Sequence, residues 1–286
     1  MNTGTDKVDP DPDDPSGDGL NRNALSNNGD GDREDEDGDA VDGPTVEAYV
    51  DLAKKACKYY FTGYCPIHIY LPTFTARKGY LKNIAAETEQ PELLNLIRQF
   101  IYDQQNSDDV SSASTSDLPM FYGKITTYPS ALATFHAPSD ISGIGGMCRE
   151  RIRAVKSWRN GPGRYDTIFV NTDSSADGMR GLDVARVQLF FSFSHDDITY
   201  PCALVRWFSR VGDSPDDHTG MWVVQPDDAE NPSIIHLGSI FRAAHLLPVF
   251  GRERVLRTLS FTDTLDRFTR FYVNKFVDYH AFETIF

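Results

Sequence analysis

A run of basic residues follows a glycine-rich turn near the middle of this chain. Gly143, Ile144, Gly145 and Gly146 come first, then Arg149, Arg151, Arg153, Lys156 and Arg159. A glycine-rich turn entering a helix N-terminus offers free N–H groups to a phosphate. Read as a helix over 147–158, the stretch places Arg149, Arg153 and Lys156 on one face and Cys148, Ile152 and Val155 on another. Residues 147–164 hold six basic side chains against Glu150 alone, which makes the segment a candidate contact for a phosphate backbone. The competing account is a solvated helix face that neutralises nearby aspartates. The glycine spacing fits neither the P-loop nor the dinucleotide fingerprint.

Other chemistry finds weaker footing. Cys57, Cys65 and His68 are close in sequence, but their spacing matches no zinc pattern and a fourth ligand is lacking. His236 and His245 are each flanked by apolar residues and read as satisfied core or groove histidines rather than ligands. There is no G-x-S-x-G or H-E-x-x-H motif. The acids outside the N-terminal tail fall largely in turns, as Asp213, Asp216 and Asp217 do, and scattered acids do not define a two-metal site. No catalytic residue, metal or cofactor is expected. An aromatic group remains: Tyr200, Trp207, Phe208, Trp222 and Phe241. Such residues could stack on a base or cage a methylated lysine. They could equally fill the interior of a small barrel. Trp207, Trp222 and His245 are the candidate recognition groove.

The elements that must position these residues begin after a tail. Residues 1–44 carry 14 Asp and Glu against 3 Lys and Arg, with almost no aliphatic side chains. Such a segment cannot bury enough apolar surface to offset its ordering entropy, so it is expected to be disordered. The whole-chain charge of −14 is mostly the tail's. The remainder is close to neutral and makes no global electrostatic case for nucleic acid. No apolar run of 18 residues or more and no secretory leader is visible, so no membrane partner is expected. The four cysteines are sparse and irregularly spaced, which favours reduced thiols in an intracellular chain.

Periodicity predicts a helix over 47–60 and a second after Pro91, carrying Leu93, Leu94, Ile97, Phe100 and Ile101. Residues 104–117 read as a loop, and Ser139 or Asp140 as a turn cap. Short strands are expected over 121–127, 131–136 and 166–171. Two longer ones, over 184–193 and 199–208, meet at a tight turn near His195, Asp196 and Asp197 and form a hairpin. A second turn over 212–220 leads into a strand over 221–224. Further strands are expected over 233–237 and 243–249. A last helix, over 262–277, is expected to carry Leu265, Phe268, Tyr272 and Phe276 on one face. The fold class predicted is α+β: a helical and mixed region (45–160) beside a small antiparallel β-barrel-like module (161–286) closed by a C-terminal helix.

Several strings in order carry a family resemblance. GMCRERIRAVKSWR (146–159), RYDTIFVNTD (164–173) and GMRGLDVARVQLFFSF (178–193) are followed by YPCALVRWFSRVGDSPDDHTGMWVV (200–224), IIHLGSIFRAAHLLPVFG (234–251) and FYVNKFVDYHAFE (271–283). Together they resemble the C-terminal region of Plavaka-type DNA transposases of mushroom-forming fungi, which are related to CACTA elements and discussed beside the KDZ group. The likeness begins near Leu93 and spans about two-thirds of the chain. In that family, DNA cleavage belongs to an upstream RNase H-like domain with metal-binding acids. The upstream segment here has no room for such a domain, so no catalytic residue carries over. The resemblance implies a non-catalytic accessory region, a remnant or domesticated fragment, that meets DNA or a protein or chromatin partner in the nucleus. The β-module is also similar, at the level of fold alone, to the barrel of bromo-adjacent-homology chromatin domains. A metal-dependent nuclease is the remaining alternative, and it needs three converging carboxylates.

Overall fold

The structure, a computed structural model, describes residues 67–73, 76–106, 118–137, 146–227, 232–252, 255 and 257–285. The acidic tail, the helix expected over 47–60, the cap at Ser139 or Asp140, Cys57, Cys65 and glycines 143–145 lie outside the described residues. So does most of the loop expected over 104–117.

A long hairpin is the spine. Strand β8 (Leu182–His195) and strand β9 (Ile198–Arg210) carry apolar runs buried on both faces, Leu189 to Phe191 on β8 and Cys202 to Val205 on β9. They turn at Asp196 and Asp197, whose φ values are 50° and 61°. A two-residue hairpin turn matching the strand twist needs two positive φ values, and Asp tolerates them better than most residues. The register of β8 against β9 shifts between Val187 and Leu189. Such a bulge bends the pair and changes which side chains face which layer.

Each half of the hairpin recruits different neighbours. Strand β7 (Thr167–Asn171) pairs with the first half of β8, and strand β3 (Lys124–Tyr128) with the second. On the β9 side, strand β11 (Ser233–His236) pairs at Cys202 to Val205, and strand β10 (Val223–Pro226) at Phe208 to Arg210. Strands β2 (Arg77–Tyr80), β12 (Ile240–Ala244), β13 (Leu246–Pro248) and β14 (Phe271–Val273) complete a ten-stranded sheet that curls into a half-barrel. A second sheet has four strands in the order β1 (His68–Tyr70), β4 (Ser130–His136), β5 (Met147–Val155), β6 (Arg164–Tyr165). Every pairing in both sheets is antiparallel.

Three apolar clusters hold the layers together. The helices α1 (Leu81–Glu87) and α2 (Leu93–Gln105) cover the turn end of the hairpin. Leu93, Ile97, Phe100 and Ile101 are buried there against Phe191, Phe193, Tyr200 and Leu204. Their spacing is the i, i+4, i+7, i+8 stripe of an amphipathic helix. Each fully buried side chain of this size is worth about 1.5–3 kcal/mol. The four-stranded sheet packs Ala131, Ala133, Ile152 and Ala154 against Ile168, Ala185, Phe190 and Val205 of the larger sheet. At the open end of the hairpin, Phe208, Trp222, Val224, Phe271 and Val273 pack with Ala281 and Ile285 of the C-terminal helix α4 (Tyr279–Ile285). The described residues are therefore mostly antiparallel sheet with few helices. No helix of the described residues is long and apolar enough to cross a membrane.

Two expected helices are corrected. Residues 147–155, read as helical, are the nine-residue strand β5, paired along seven residues with β4. The arginines at 149, 151 and 153 alternate with Ile152 and Ala154, a period of two rather than 3.6. The helix expected over 262–277 is also absent. Residues 264–267 form a single turn, α3 (Thr264–Arg267), and Phe271–Val273 enter the sheet between β10 and β13 as β14. An aromatic and β-branched triplet gains more from two flanking strands than from an isolated helix turn.

Candidate functional site

The strand geometry of β5 sorts its charges more sharply than a helix would. Successive side chains on a strand point to opposite faces. Arg149, Arg151 and Arg153 therefore share the outer face, spaced two residues, about 6.7 Å, apart. Glu150, the one acid in the run, points inward with Ile152 and Ala154. Residues opposite one another in a pairing share a face. The register thus adds Arg164, opposite Val155 on β6, and places His68 and Tyr70 of β1 on the same outer face. Tyr70 is 42% exposed. Leu132, opposite Arg151, is only 7% exposed, so the long side chains around it shield an apolar floor. Arg151 Nη1 donates to Ser130 Oγ at 3.1 Å.

Beyond β5 the chain turns through Trp158, Arg159, Asn160 and Gly161. Gly161 N donates to Trp158 O at 2.9 Å, and Arg159 and Asn160 have φ values of 50° and 59°. This is a tight hairpin turn with two left-handed, non-glycine residues, an uncommon conformation for arginine. It presents Trp158 to three guanidiniums. Arg153 lies 4.3 Å from the ring centroid, and Arg159 and Arg164 each lie 5.7 Å away. All are within cation–π range. Asp166 braces the group: its carboxylate accepts from the Arg153 backbone N at 2.8 Å and from Arg164 Nε at 2.7 Å. Partial burial, then the neighbouring Arg164, Arg151 and Arg159, hold the Arg153 guanidinium below the usual arginine range; Asp166 acts the other way.

All five basic residues singled out in the sequence thus lie along one short segment. Arg149, Arg151 and Arg153 form a row, with Arg159 at the turn. Lys156 is exposed just past the strand. Trp158 and Arg164 were missed. Asn160, which tolerates a left-handed backbone, beside Gly161 is the sequence sign of a turn here, although the turn centres on Arg159 and Asn160.

The recognition groove is brought together only in part. Trp207 and Trp222 both line a cleft of about 660 Å³, with Phe208, Asp183, Asp213 and Asp227. Trp222 is 6% exposed and belongs to the core cluster at the open end of the hairpin. Trp207 is half-buried and donates from Nε1 to Ser233 Oγ at 2.6 Å. His245 is elsewhere: it lies exposed between β12 and β13, with Nδ1 3.0 Å from Asn274 Nδ2. Tyr200 packs with Phe100 and Phe193, and Phe241 stacks near His280. These aromatics serve chiefly as core. Asp216 is a turn residue, accepting from the backbone N of His218 and Thr219. His236 Nδ1 accepts from Gly238 N at 3.0 Å, and burial lowers its pKa to about 4. Cys202 is a buried thiol.

A second charged group went unread in the sequence. Arg242, on β12, is 3% exposed. Its Nη1 and Nη2 donate to the two carboxylate oxygens of Asp278 at 2.8 and 2.6 Å. Nη2 also reaches Glu150 Oε2 at 3.2 Å, and Nη1 reaches His280 Nδ1 at 3.1 Å. A guanidinium only donates, so His280 Nδ1 must accept and the ring must be neutral with its proton on Nε2. The guanidinium lies 4.5 Å over the Phe135 ring. Burial, then Arg242, lowers the His280 pKa to about 4. Burial raises Glu150 even though Arg242 and the Ala243 backbone N oppose it. Burial alone would also raise Asp278, but the bonds from Arg242 and Ala281 N hold it below the usual carboxylate value. The residues lie 92 and 36 positions from Arg242 in sequence, and no local spacing signals them. Their role is structural: they tie β5, β12 and α4 together.

Among the described residues, no three His, Cys, Asp or Glu side chains converge to hold a metal ion. No protein-family model, curated protein or solved structure matches this chain.

Proposed function

We propose that this chain is a non-catalytic, nucleic-acid-binding accessory region of a transposase-like protein, working on DNA in the nucleus. The observation that carries the proposal is the outer row of β5. Arg149, Arg151 and Arg153 stand on one face while Glu150 is withdrawn to the other and paired with Arg242. Repeated cations at strand spacing suit the repeated charge of a phosphate backbone and carry no base code. The transposase resemblance supports DNA as the polymer. In this reading the curled sheet is a barrel-like recognition module sealed by the C-terminal helix.

The test is a salt-titrated duplex DNA-binding assay. Affinity should fall steeply with salt, and an Arg149→Ala/Arg153→Ala variant should bind more weakly, with the log–log salt slope reduced by about 0.9 per lost phosphate contact. Absence of binding at low salt sinks the DNA reading.

That outcome would favour a second reading, a chromatin or protein-interaction module. Its support is the cleft of about 660 Å³ in which Trp207 and Phe208 meet Asp183, Asp213 and Asp227, with Arg180 and Arg210 also in the lining and Arg210 3.8 Å from Asp183, so that Asp213 and Asp227 are the carboxylates left to a ligand. Aromatic faces with carboxylates suit a cationic peptide side chain. The nuclease alternative has no supporting observation among the described residues.

A further inference from the structure

We infer that the three guanidiniums gathered on Trp158 form a seat for a terminal phosphate group, the 5′-phosphate end of a nucleic acid strand. This rests on the nucleic-acid reading and goes beyond it, because the outer row explains contact along a backbone but not the cluster at its end. Arg153, Arg159 and Arg164 all lie within 5.7 Å of one ring centroid. Like charges repel at such range, so an aromatic face alone is a poor reason to collect three of them. One carboxylate, that of Asp166, is shared with the group, which leaves two positive charges unmatched. Arg159 has no carboxylate partner among the described residues. Its left-handed backbone, at φ 50°, holds it beside the ring in a conformation that arginine rarely takes. The Arg153 Nε is buried without a hydrogen-bond acceptor.

A backbone phosphodiester brings one negative charge, whereas a phosphomonoester brings about −1.5 to −2 at pH 7. The unmatched charge fits the monoester. Guanidiniums held against an indole keep their N–H edges for phosphate oxygens and lose less rotamer freedom on binding. The indole is then a positioning residue: with cations gathered on the ring, a base would have to displace them to stack. The row of Arg149, Arg151 and Arg153 runs away from the seat and can follow the strand that the phosphate terminates.

The experiment uses the full chain and two probes. Inorganic phosphate is titrated while the Trp158 indole N–H resonance, assigned with Trp158→Phe, is followed. Then a 5′-phosphorylated oligonucleotide is compared with its 5′-hydroxyl counterpart of the same sequence. The resonance should move and saturate with phosphate, and exposed Arg159→Gln should weaken that binding about tenfold, the loss of one charge-assisted bond. The phosphorylated oligonucleotide should bind about tenfold tighter than its counterpart, an advantage lost in Arg159→Gln. An unmoved resonance overturns the seat. Movement with equal oligonucleotide affinities overturns the preference for a strand end. Movement with no oligonucleotide bound sinks both the strand end and the backbone reading, and points to a phosphorylated side chain as the source.

Discussion

On the outer face of β5, Arg149, Arg151 and Arg153 reach solvent two residues apart. On the inner face of the same strand, Glu150 is buried against Arg242, beside Asp278 and His280. One strand thus carries charge in two dielectric settings. Outside, Arg149 and Arg151 are exposed and Arg153 is half-buried, and their removal changes the fold little. Inside, Arg242 has lost its water and Glu150 and Asp278 have lost part of theirs, and their neighbours must replace it. The contrast separates the residues that can be spent on a ligand from those committed to the fold. It also links them: the acid that would have cancelled the outer row is held away from it by Arg242.

The inner face should give the largest effect. Arg242→Ala leaves the partly buried Asp278 and Glu150 without their cation, and the lost charge-assisted bonds, discounted for the exposure of both carboxylates, cost about 1–3 kcal/mol. Urea unfolding should show the unfolding free energy falling by that amount. An Arg242→Met/Asp278→Leu/Glu150→Leu chain should recover most of the loss, because apolar replacement of a whole buried ionic group is often neutral or better. A single variant as stable as the parent would show that water reaches the group and that it is not buried in solution.

The same group should make stability fall with acid. His280 is neutral in the fold, with a pKa of about 4 against 6.5 unfolded. The unfolded state therefore binds more protons between those values, and stability present above pH 6.5 is lost as the pH falls toward 4. Asp278, held low, adds its loss only further down, below its ordinary 3.8. Glu150 has the opposite sign: its raised pKa costs stability as the pH rises through the folded value. The groups facing His280 are Arg242 and Asp278, with His136 also acting on its charge. Between pH 7 and 5.5 the urea midpoint should drop, and the drop should shrink in His280→Gln. An equal drop in both chains would remove His280 as its source.

What could be read in the sequence follows the same division. The hairpin of β8 and β9 is legible because apolar and aromatic runs bracket Asp196 and Asp197, and α2 because Leu93, Ile97, Phe100 and Ile101 keep one face. The basic cluster was found by composition. Its strand was not, because Cys148, Ile152 and Val155 also fit a helical face and Glu150 breaks the alternation that marks a half-buried strand. That break makes sense only with Arg242 in place, and Arg242 is 92 residues away. Likewise Leu265, Phe268, Tyr272 and Phe276 imitate a helix, while β10 and β13 draw Phe271–Val273 into the sheet. Tertiary contacts decided both cases. Residue type alone does not separate core from surface, so the buried Trp222 and the exposed His245 look alike in the sequence.

The outer face should give the smallest effect on stability and the clearest effect on binding. Arg149 is exposed and has no ion-pair partner among the described residues, so Arg149→Ala should change the unfolding free energy in urea by less than about 0.5 kcal/mol. Arg151 gives up one hydrogen bond, to Ser130, and Arg153 its contact with Trp158, each worth about 1 kcal/mol or less. Each substitution should nonetheless take about 0.9 from the salt slope of DNA binding. Equal slopes with lower stability would mean that the arginines brace the sheet and touch no phosphate, and the two faces of β5 would then share one structural role. Lower slopes at unchanged stability would separate them, with ligand contact outside and fold inside.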